Sequence, residues 1–192
     1  MSEKYTDDII KLEFELFDKV NNEGGRASCQ DDFDTFSRQR GAQFDAWSEE
    51  TRASYLDDLK RTSAEGRNLV MEKYAYMSGY DYMGEEDDII EKQMLLMQIM
   101  QQMNEETYAM RQKYPNISMR ARPYGSEPGS MVSVDSYLLC ELLTYSCETL
   151  RRYKRHLDAL KEQGLSLPVL TMENTMHAYG FASLDDAEAR LA

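Results

Sequence analysis

The chain has 192 residues and a formal net charge of -13 at pH 7. This charge repels phosphate backbones over most of the surface, which disfavours broad binding of DNA or RNA. Hydrophobic residues make up 42% and charged residues 30%, a balance that predicts one folded domain over residues 1–192. The start of the chain lacks a signal-peptide pattern, and the most apolar run, residues 94–100, is too short to span a bilayer. We therefore expect a cytoplasmic protein without a membrane segment.

Apolar residues recur at helical spacing in segments separated by glycine, proline or polar turns. The predicted helices of the first half are residues 4–22, a segment opened by Asp31, Asp32 and Asp34, a segment capped by Ser48, residues 69–83, and a long helix between residues 85–88 and Tyr114-Pro115. In the long helix, isoleucines and methionines at 89, 90, 94, 97, 100 and 103 predict a central core element.

Residues 116–132 are rich in Pro, Gly, Ser and Arg and predict a long loop, with Arg120 and Arg122 as its basic points. A second long helix is predicted over residues 133–163, followed by a short terminal pair whose last member is capped by Ser183. The predicted fold is an all-α, single-domain helical bundle of about six to eight helices with two long core helices.

Arginine stands beside glycine three times, as Gly25-Arg26, Arg40-Gly41 and Gly66-Arg67. Glycine lets backbone N–H groups approach an anion closely, and a guanidinium group forms a planar fork for carboxylate or phosphate. We predict that the three arginines converge on one anionic ligand. The alternative at each position is a helix stop beside an arginine that pairs with a surface acid.

The predicted pocket is built by the first four helices and combines cations, amides, an acid and a phenol. Its residues are Asn22, Glu23, Arg26, Arg40, Gln43, Arg67, Lys73 and Tyr74. Glu23, Lys73 and Tyr74 are the candidates for acid–base catalysis; the alternative for the last two is a salt bridge beside a buried tyrosine. For Glu13 and Glu15 a solvated helix face is the favoured interpretation; the alternative is that one of them points inward, where it needs Arg26 or Arg40 as a partner.

The sequence gives little support for a reactive cysteine or a metal site. Cys29 precedes a predicted helix, where a thiol can become nucleophilic, but the aspartates beside it oppose a thiolate and no histidine lies nearby. The acidic runs at 31–34 and 85–88 lack EF-hand spacing and suit helix N-termini. No CxxC pair supports structural zinc, so no metal site is predicted and the cofactor is unknown.

Residues 151–156 form a basic island on a predicted helix. Arg151 and His156 resemble the arginine-x4-histidine signature of HEPN-type ribonucleases, whose paired arginine and histidine cleave RNA at a dimer interface. A five-residue offset places the two side chains about 140° apart on a straight helix, so a bend or a second subunit would have to unite them. A third alternative is a non-enzymatic protein that docks a partner through a surface rich in Met and Tyr.

Three stretches together resemble a bacterial all-helical family of unknown function about as long as this chain. They are residues 21–30, residues 40–44, and residues 66–69 with 72–75. The resemblance covers most of the chain, and some members of that family occur near nucleotidyltransferase-like proteins. It implies a nucleotide or small-metabolite setting, with such a protein as a candidate partner, but no reaction. The leading hypothesis is binding of a small anionic metabolite or nucleotide, with acid–base catalysis as an open addition.

Overall fold

A computed structural model describes residues 2–21, 25–80, 89–125 and 132–192. Within these ranges the chain forms ten α-helices and one 3₁₀ helix and no strand. The all-α class is therefore confirmed, and the number of helices exceeds the expected six to eight. In chain order the elements are α1 (Ser2–Asp18), the 3₁₀ helix (Ser28–Asp31), α2 (Phe33–Asp45), α3 (Glu49–Ala64), α4 (Leu69–Met77), α5 (Ile89–Lys113), α6 (Pro115–Arg120), α7 (Val134–Leu142), α8 (Cys147–Glu162), α9 (Leu167–Ala178) and α10 (Leu184–Arg190).

Side-chain caps set where several helices begin. The predicted cap Ser48 accepts a hydrogen bond from the Thr51 N–H, and Ser183 accepts one from the Asp186 N–H. Each cap satisfies one of the backbone donors that the first helical turn leaves unpaired. The same arrangement is found at the starts of α2, α4, α7 and α8.

The second long helix predicted over residues 133–163 is wrong, because the chain breaks between α7 and α8. Ser146 caps α8, and its N–H donates to the buried carboxylate of Asp58 on α3 over 3.0 Å. The Thr149 hydroxyl donates to the same carboxylate oxygen over 2.6 Å. Leucines keep a helical spacing across the break, so hydrophobic periodicity alone does not reveal it.

The predicted loop over residues 116–132 also needs correction. A proline at the first helical position starts α6 directly after α5 ends at Lys113. Proline suits that position because its missing N–H would be unpaired there. The short helix carries Arg120 in its last turn and places Arg122 just beyond it.

Helix α5 packs the second part of the predicted stripe inward, but not the first part. Its buried apolar side chains include Leu96, Ile99 and Met103, which face α8 and α9. Ile90, Met94 and Met97 belong to the predicted stripe but are 72%, 53% and 67% exposed. Met103 of that stripe is buried and Met100 packs against the core, so the prediction holds there, whereas nearer the start of the helix Leu96 and Ile99 are buried instead.

Buried side chains form two clusters. The larger combines α1, α3, α5 and α8 and contains Trp47 with Tyr55, Tyr145 and Tyr153 in edge or tilted ring contacts. The smaller joins the end of α5 to α6 and α10. The one-domain expectation stays a prediction. In the described ranges, no helix has both the length and the apolar character that crossing a bilayer requires.

Candidate functional site

A buried ionic cluster joins α1, α2 and α7. The Arg40 guanidinium on α2 donates from Nε and Nη2 to the two oxygens of Glu13 on α1, each over 2.6 Å. Its Nη2 also donates to Glu141 on α7, and Nη1 donates to Gln43 Oε1 over 2.7 Å. The Tyr55 hydroxyl donates to Glu13 over 2.6 Å. Arg40 is therefore held on all sides by groups of the chain itself.

Burial makes this cluster energetically demanding. Arg40, Glu13 and Glu141 are all buried, and removing charges from water costs free energy that only close pairing and hydrogen bonding offset. Burial raises the pKa of Glu141, but the charges of Arg40 and Lys73 outweigh burial and hold that pKa at about 2. Glu141 is therefore ionised at neutral pH.

Lys73 on α4 is a buried ammonium group with unused donors. Its side chain is only 6% exposed, and Nζ donates to the Tyr137 hydroxyl over 2.9 Å. Burial lowers the pKa of Lys73, but the nearby Glu141 and Tyr137 outweigh it and the net pKa is raised. The group thus stays protonated, and an ammonium group has three N–H donors, of which Tyr137 accepts one.

Arg122 approaches the same tyrosine. Its Cζ lies 4.8 Å from the ring centroid of Tyr137, the same distance that separates Lys73 Nζ from that centroid. Among the described residues, neither cation has a carboxylate within ion-pairing distance. Two positive groups, the buried ammonium of Lys73 and the exposed guanidinium of Arg122, therefore lie against one aromatic ring in a protein that carries a large excess of acids.

These groups line a polar cavity of about 250 Å³ between α1, α2, α4 and α7. Its lining consists of Glu13, Phe17, Cys29, Asp32, Thr35, Phe36, Gln39, Arg40, Val70, Lys73, Tyr74, Arg122 and Tyr137. The cavity combines unused cationic donors with aromatic walls, which is an arrangement that can hold an anion.

A larger, apolar cavity of about 570 Å³ adjoins it and shares Gln39, Arg122 and Tyr137 with the polar cavity. The remaining lining residues are Gln43, Trp47, Met103, Asn104, Thr107, Met110, Ile117, Arg120, Ala121, Val134, Asp135, Leu138, Glu141, Tyr153, Leu167, Pro168, Thr171, Met172, Thr175, Met176, Tyr179, Phe181 and Leu191. Most of these side chains come from α5, α7 and α9, and Arg40 paired with Glu141 lies between the two cavities.

The structure brings together only part of the predicted site. Arg40, Lys73 and Tyr74 line the polar cavity, and Gln43 binds Arg40 and faces the apolar cavity. The favoured interpretation of a solvated helix face is wrong for Glu13, which is buried and pairs with Arg40 as in the alternative, while Glu15 is exposed.

The three arginines do not converge. Arg26 donates to Asp18 over 2.6 Å and to Asp31 over 2.9 Å, and Arg67 donates to both oxygens of Glu72. Neither arginine lines either cavity. Both match the alternative of an arginine beside a helix stop that pairs with a surface acid. Asn22 and Glu23 lie outside the described residues.

Two amides in the family-like stretches secure the end of α1. Gln30 donates to the carbonyls of Phe17 and Val20 over 2.8 and 3.0 Å. Asn68 donates to the Leu16 carbonyl over 2.8 Å and caps α4 with its oxygen. A helix end leaves such carbonyls unpaired, so these amides have a structural role. They fix α1 against the 3₁₀ helix and α4, which places Glu13 beside the cavity.

Sequence reasoning missed Tyr137 and Glu141 and did not assign Arg122 to the site. Tyr137 and Glu141 are four residues apart on α7, so both point to one face of that helix. Both residues fall in the single long helix predicted over residues 133–163, and its pattern does not indicate that they line a cavity. Arg122 was recognisable as a basic point of the predicted loop, but its contact with Tyr137 depends on tertiary structure.

The other reactive candidates have different surroundings. Cys29 is exposed and lines the polar cavity. On α8, Arg151 donates to both oxygens of Glu91 over 2.6 and 2.7 Å, while His156 Nε2 lies 2.8 Å from the Ala46 carbonyl. Arg151 and His156 thus contact different parts of the chain.

Fold and site define an all-α protein with a buried ionic cluster beneath a polar cavity. Over residues 3–189 the chain matches the model of the family described as "Protein of unknown function (DUF4125)", and it belongs to that family. The predicted resemblance to a helical family of unknown function is thereby confirmed. No curated protein and no solved structure matches the chain.

Proposed function

We propose that the polar cavity binds a small anionic metabolite whose acidic group lies between Lys73 and Arg122. The observation that carries the proposal is that two cations flank the ring of Tyr137 without a described carboxylate as ion-pair partner. An acidic group beside this ring would accept free N–H groups from both cations in charge-assisted hydrogen bonds.

Arg40 has a positioning role in this proposal. Its guanidinium is already bound by Glu13, Glu141 and Gln43, so it has little capacity for a ligand. The cluster instead fixes α1, α2 and α7 relative to one another and lets Glu141 keep Lys73 charged. Buried ionic groups with shifted pKa values are frequent at functional sites, which agrees with a binding role here.

Donation of hydrogen bonds suits these residues better than proton abstraction. The pKa of Lys73 is raised, and burial together with Tyr137 raises the pKa of Tyr74. Both side chains are therefore protonated at neutral pH. We propose binding as the function and derive no reaction from the candidates Lys73 and Tyr74.

The size of the polar cavity favours a small ligand. Pockets for drug-sized molecules measure roughly 300–1,000 Å³, and the polar cavity measures about 250 Å³. A nucleotide would have to extend beyond it. The link to nucleotidyltransferase-like proteins and the cytoplasmic location stay predictions, and nucleotides belong in the ligand panel for that reason.

The two alternative functions stay predictions as well. A HEPN-like ribonuclease would need a second subunit, since Arg151 and His156 contact different parts of the chain. A docking role would use the exposed apolar side of α5 that includes Ile90, Met94 and Met97.

Thermal shift and calorimetry with monocarboxylates, phosphosugars, amino acids and nucleotides test the proposal. A ligand at 100 times its dissociation constant stabilises the folded state by about 2.7 kcal/mol. We expect Lys73→Met and Arg122→Gln each to lower the stabilisation to about half or less, since a 10-fold loss of affinity leaves about 1.4 kcal/mol, and Arg67→Gln, a matched change of a surface arginine, to preserve it. Binding that neither cavity variant weakens would overturn the proposal.

A further inference from the structure

The apolar cavity extends the polar one at the residues that we assign to anion binding. Arg122 and Tyr137 line both cavities, so an anion at this shared edge has an apolar chamber beside it. We infer that the ligand is an amphipathic monocarboxylate whose carboxylate lies at Lys73, Tyr137 and Arg122 and whose aliphatic chain occupies the apolar cavity. This inference rests on the proposed anion site.

The chamber is suited to a hydrocarbon chain. Methionines from two helices line it, including Met103 on α5 and Met172 and Met176 on α9. Thioether side chains are flexible and polarisable, so they adapt to an irregular or variable apolar ligand. The volume of about 570 Å³ is more than twice that of the polar cavity and lies within the range of pockets that enclose whole small molecules.

The acids that line the apolar cavity favour entry of the uncharged end of the ligand. The acids that line the apolar cavity are Glu141, which is bound by Arg40, and Asp135, which accepts the Gly125 N–H over 3.0 Å. Burial raises the pKa of Asp135, but hydrogen bonds outweigh it and leave that pKa lowered, so both acids are ionised at neutral pH. A second carboxylate in this cavity would approach both acids, with Arg120 as the cation of the lining outside the shared edge. A ligand with one charged end, held by Lys73 and Arg122 at the shared edge, places no second charge beside these acids.

The shared edge supplies the geometry that a carboxylate needs. A guanidinium group presents parallel N–H donors that match the two oxygens of a carboxylate, and the buried ammonium group of Lys73 adds a point charge with free donors. Gln39, also on this edge, donates to the Tyr179 hydroxyl over 2.9 Å and so ties α2 to the end of α9. Contacts between α2 and the end of α9 and between α4 and α7 therefore hold this edge in place.

Calorimetry with butanoate, hexanoate, octanoate and decanoate tests the inference. Each buried methylene contributes about 0.8 kcal/mol, so affinity is expected to rise by up to about fourfold per methylene until the cavity is filled. Lys73→Met should lower the affinity for every chain length by about 10-fold or more, since it removes a hydrogen bond to a charged group. Octanamide, which lacks the charge, should bind more weakly than octanoate.

A variant that makes the apolar cavity smaller tests whether the aliphatic chain of the ligand binds there. Met176→Trp narrows the apolar cavity and should weaken decanoate while leaving butanoate unchanged. Met97→Trp is the matched control, because Met97 is exposed on α5 and lines neither cavity. Equal weakening by the two tryptophan variants would overturn the assignment of the chain to this cavity.

Other outcomes separate the inference from the function on which it rests. Equal affinity for all four carboxylates, lost in Lys73→Met, would preserve the anion site and overturn the aliphatic ligand. Chain-length dependence that both Lys73→Met and Arg122→Gln leave intact would overturn the anion site and, with it, the single amphipathic ligand. Absence of binding for all four at millimolar concentration would overturn the inference, and retention of another anion from the panel would show that the anion site survives.

Discussion

Arginine meets carboxylate in two contrasting settings in this protein. Arg40 lies buried between Glu13 and Glu141, whereas Arg67 pairs with Glu72 at the surface with 43% of its side chain exposed. Both pairs have short, bidentate contacts, so geometry alone does not distinguish them. The difference lies in the solvent, because water can replace a lost partner at the surface and cannot do so in the interior.

The two settings also differ in what they leave available for a ligand. The surface pair satisfies its own charges and leaves nothing for a ligand. The buried cluster includes Lys73 in its electrostatic field and keeps its ammonium group charged beside a cavity. An ionic network that holds helices together can thus also keep a nearby binding group charged, although that group is not itself part of an ion pair.

The largest expected effect comes from removing the centre of the buried cluster. Arg40→Met leaves the buried carboxylates of Glu13 and Glu141 close together without the guanidinium that pairs with both. We expect the free energy of unfolding at pH 7 to fall by about 3–5 kcal/mol, the usual cost of breaking a buried ion pair from one side. Urea denaturation followed by circular dichroism measures it. A loss below about 1 kcal/mol would show that water reaches these carboxylates.

The second-largest expected effect is a loss of folding stability at low pH. The folded-state pKa of Glu141 is about 2, below the ordinary value of 4.5. Because the folded-state value is lowered, this carboxylate stabilises the fold above about pH 4.5, and the contribution is lost as pH falls towards 2. The loss is on the order of 3 kcal/mol. Glu141→Gln cannot ionise, so its stability should fall less between pH 5 and pH 2.5. Parallel pH profiles for the two proteins would contradict the prediction.

Asp58 should lie between the two extremes, because one of its oxygens binds uncharged donors and the other pairs with the half-exposed Arg61 over 3.2 Å. Asp58 accepts hydrogen bonds from the Ser146 N–H and the Thr149 hydroxyl at the start of α8. Asp58→Ala leaves these donors without that acceptor, for an expected loss of about 1–3 kcal/mol in the free energy of unfolding. Asp58→Asn keeps one oxygen acceptor and should lose less. Equal losses in chemical denaturation would show that the charge, rather than the acceptor, matters.

The fold class and several helix limits could be predicted because they depend on local signals. Ser48 marks the start of α3, and Tyr114-Pro115 marks the end of α5. The break before Ser146 was missed because hydrophobic spacing continues across it. The buried side of α5 was predicted correctly at Met100 and Met103 but not at Ile90, Met94 and Met97, because both sides of the helix carry apolar residues. Local pattern specifies that a residue is helical, but not which neighbour it packs against.

The candidate site shows the same division. Arg40, Lys73 and Tyr74 were identified from residue type and proximity in the chain, and they do line one cavity. The contribution of α7 through Tyr137 and Glu141 depends on contacts between α7 and α4, which are far apart in sequence. Glycine beside arginine proved a weak signal, since at Arg26 and Arg67 it marks a turn with a surface ion pair.

The smallest effect should come from the surface pair. Arg67→Ala removes the two hydrogen bonds to Glu72, but water then solvates the freed carboxylate, which limits the loss in the free energy of unfolding to about 1 kcal/mol or less. The difference from wild type should shrink further in about 1 M salt, where charges are screened beyond roughly 3 Å. Urea denaturation at low and high salt measures both quantities. A loss as large as that of Arg40→Met, or one that salt does not change, would mean that Arg67 acts through packing of its aliphatic stem and that exposure does not separate the two ion pairs.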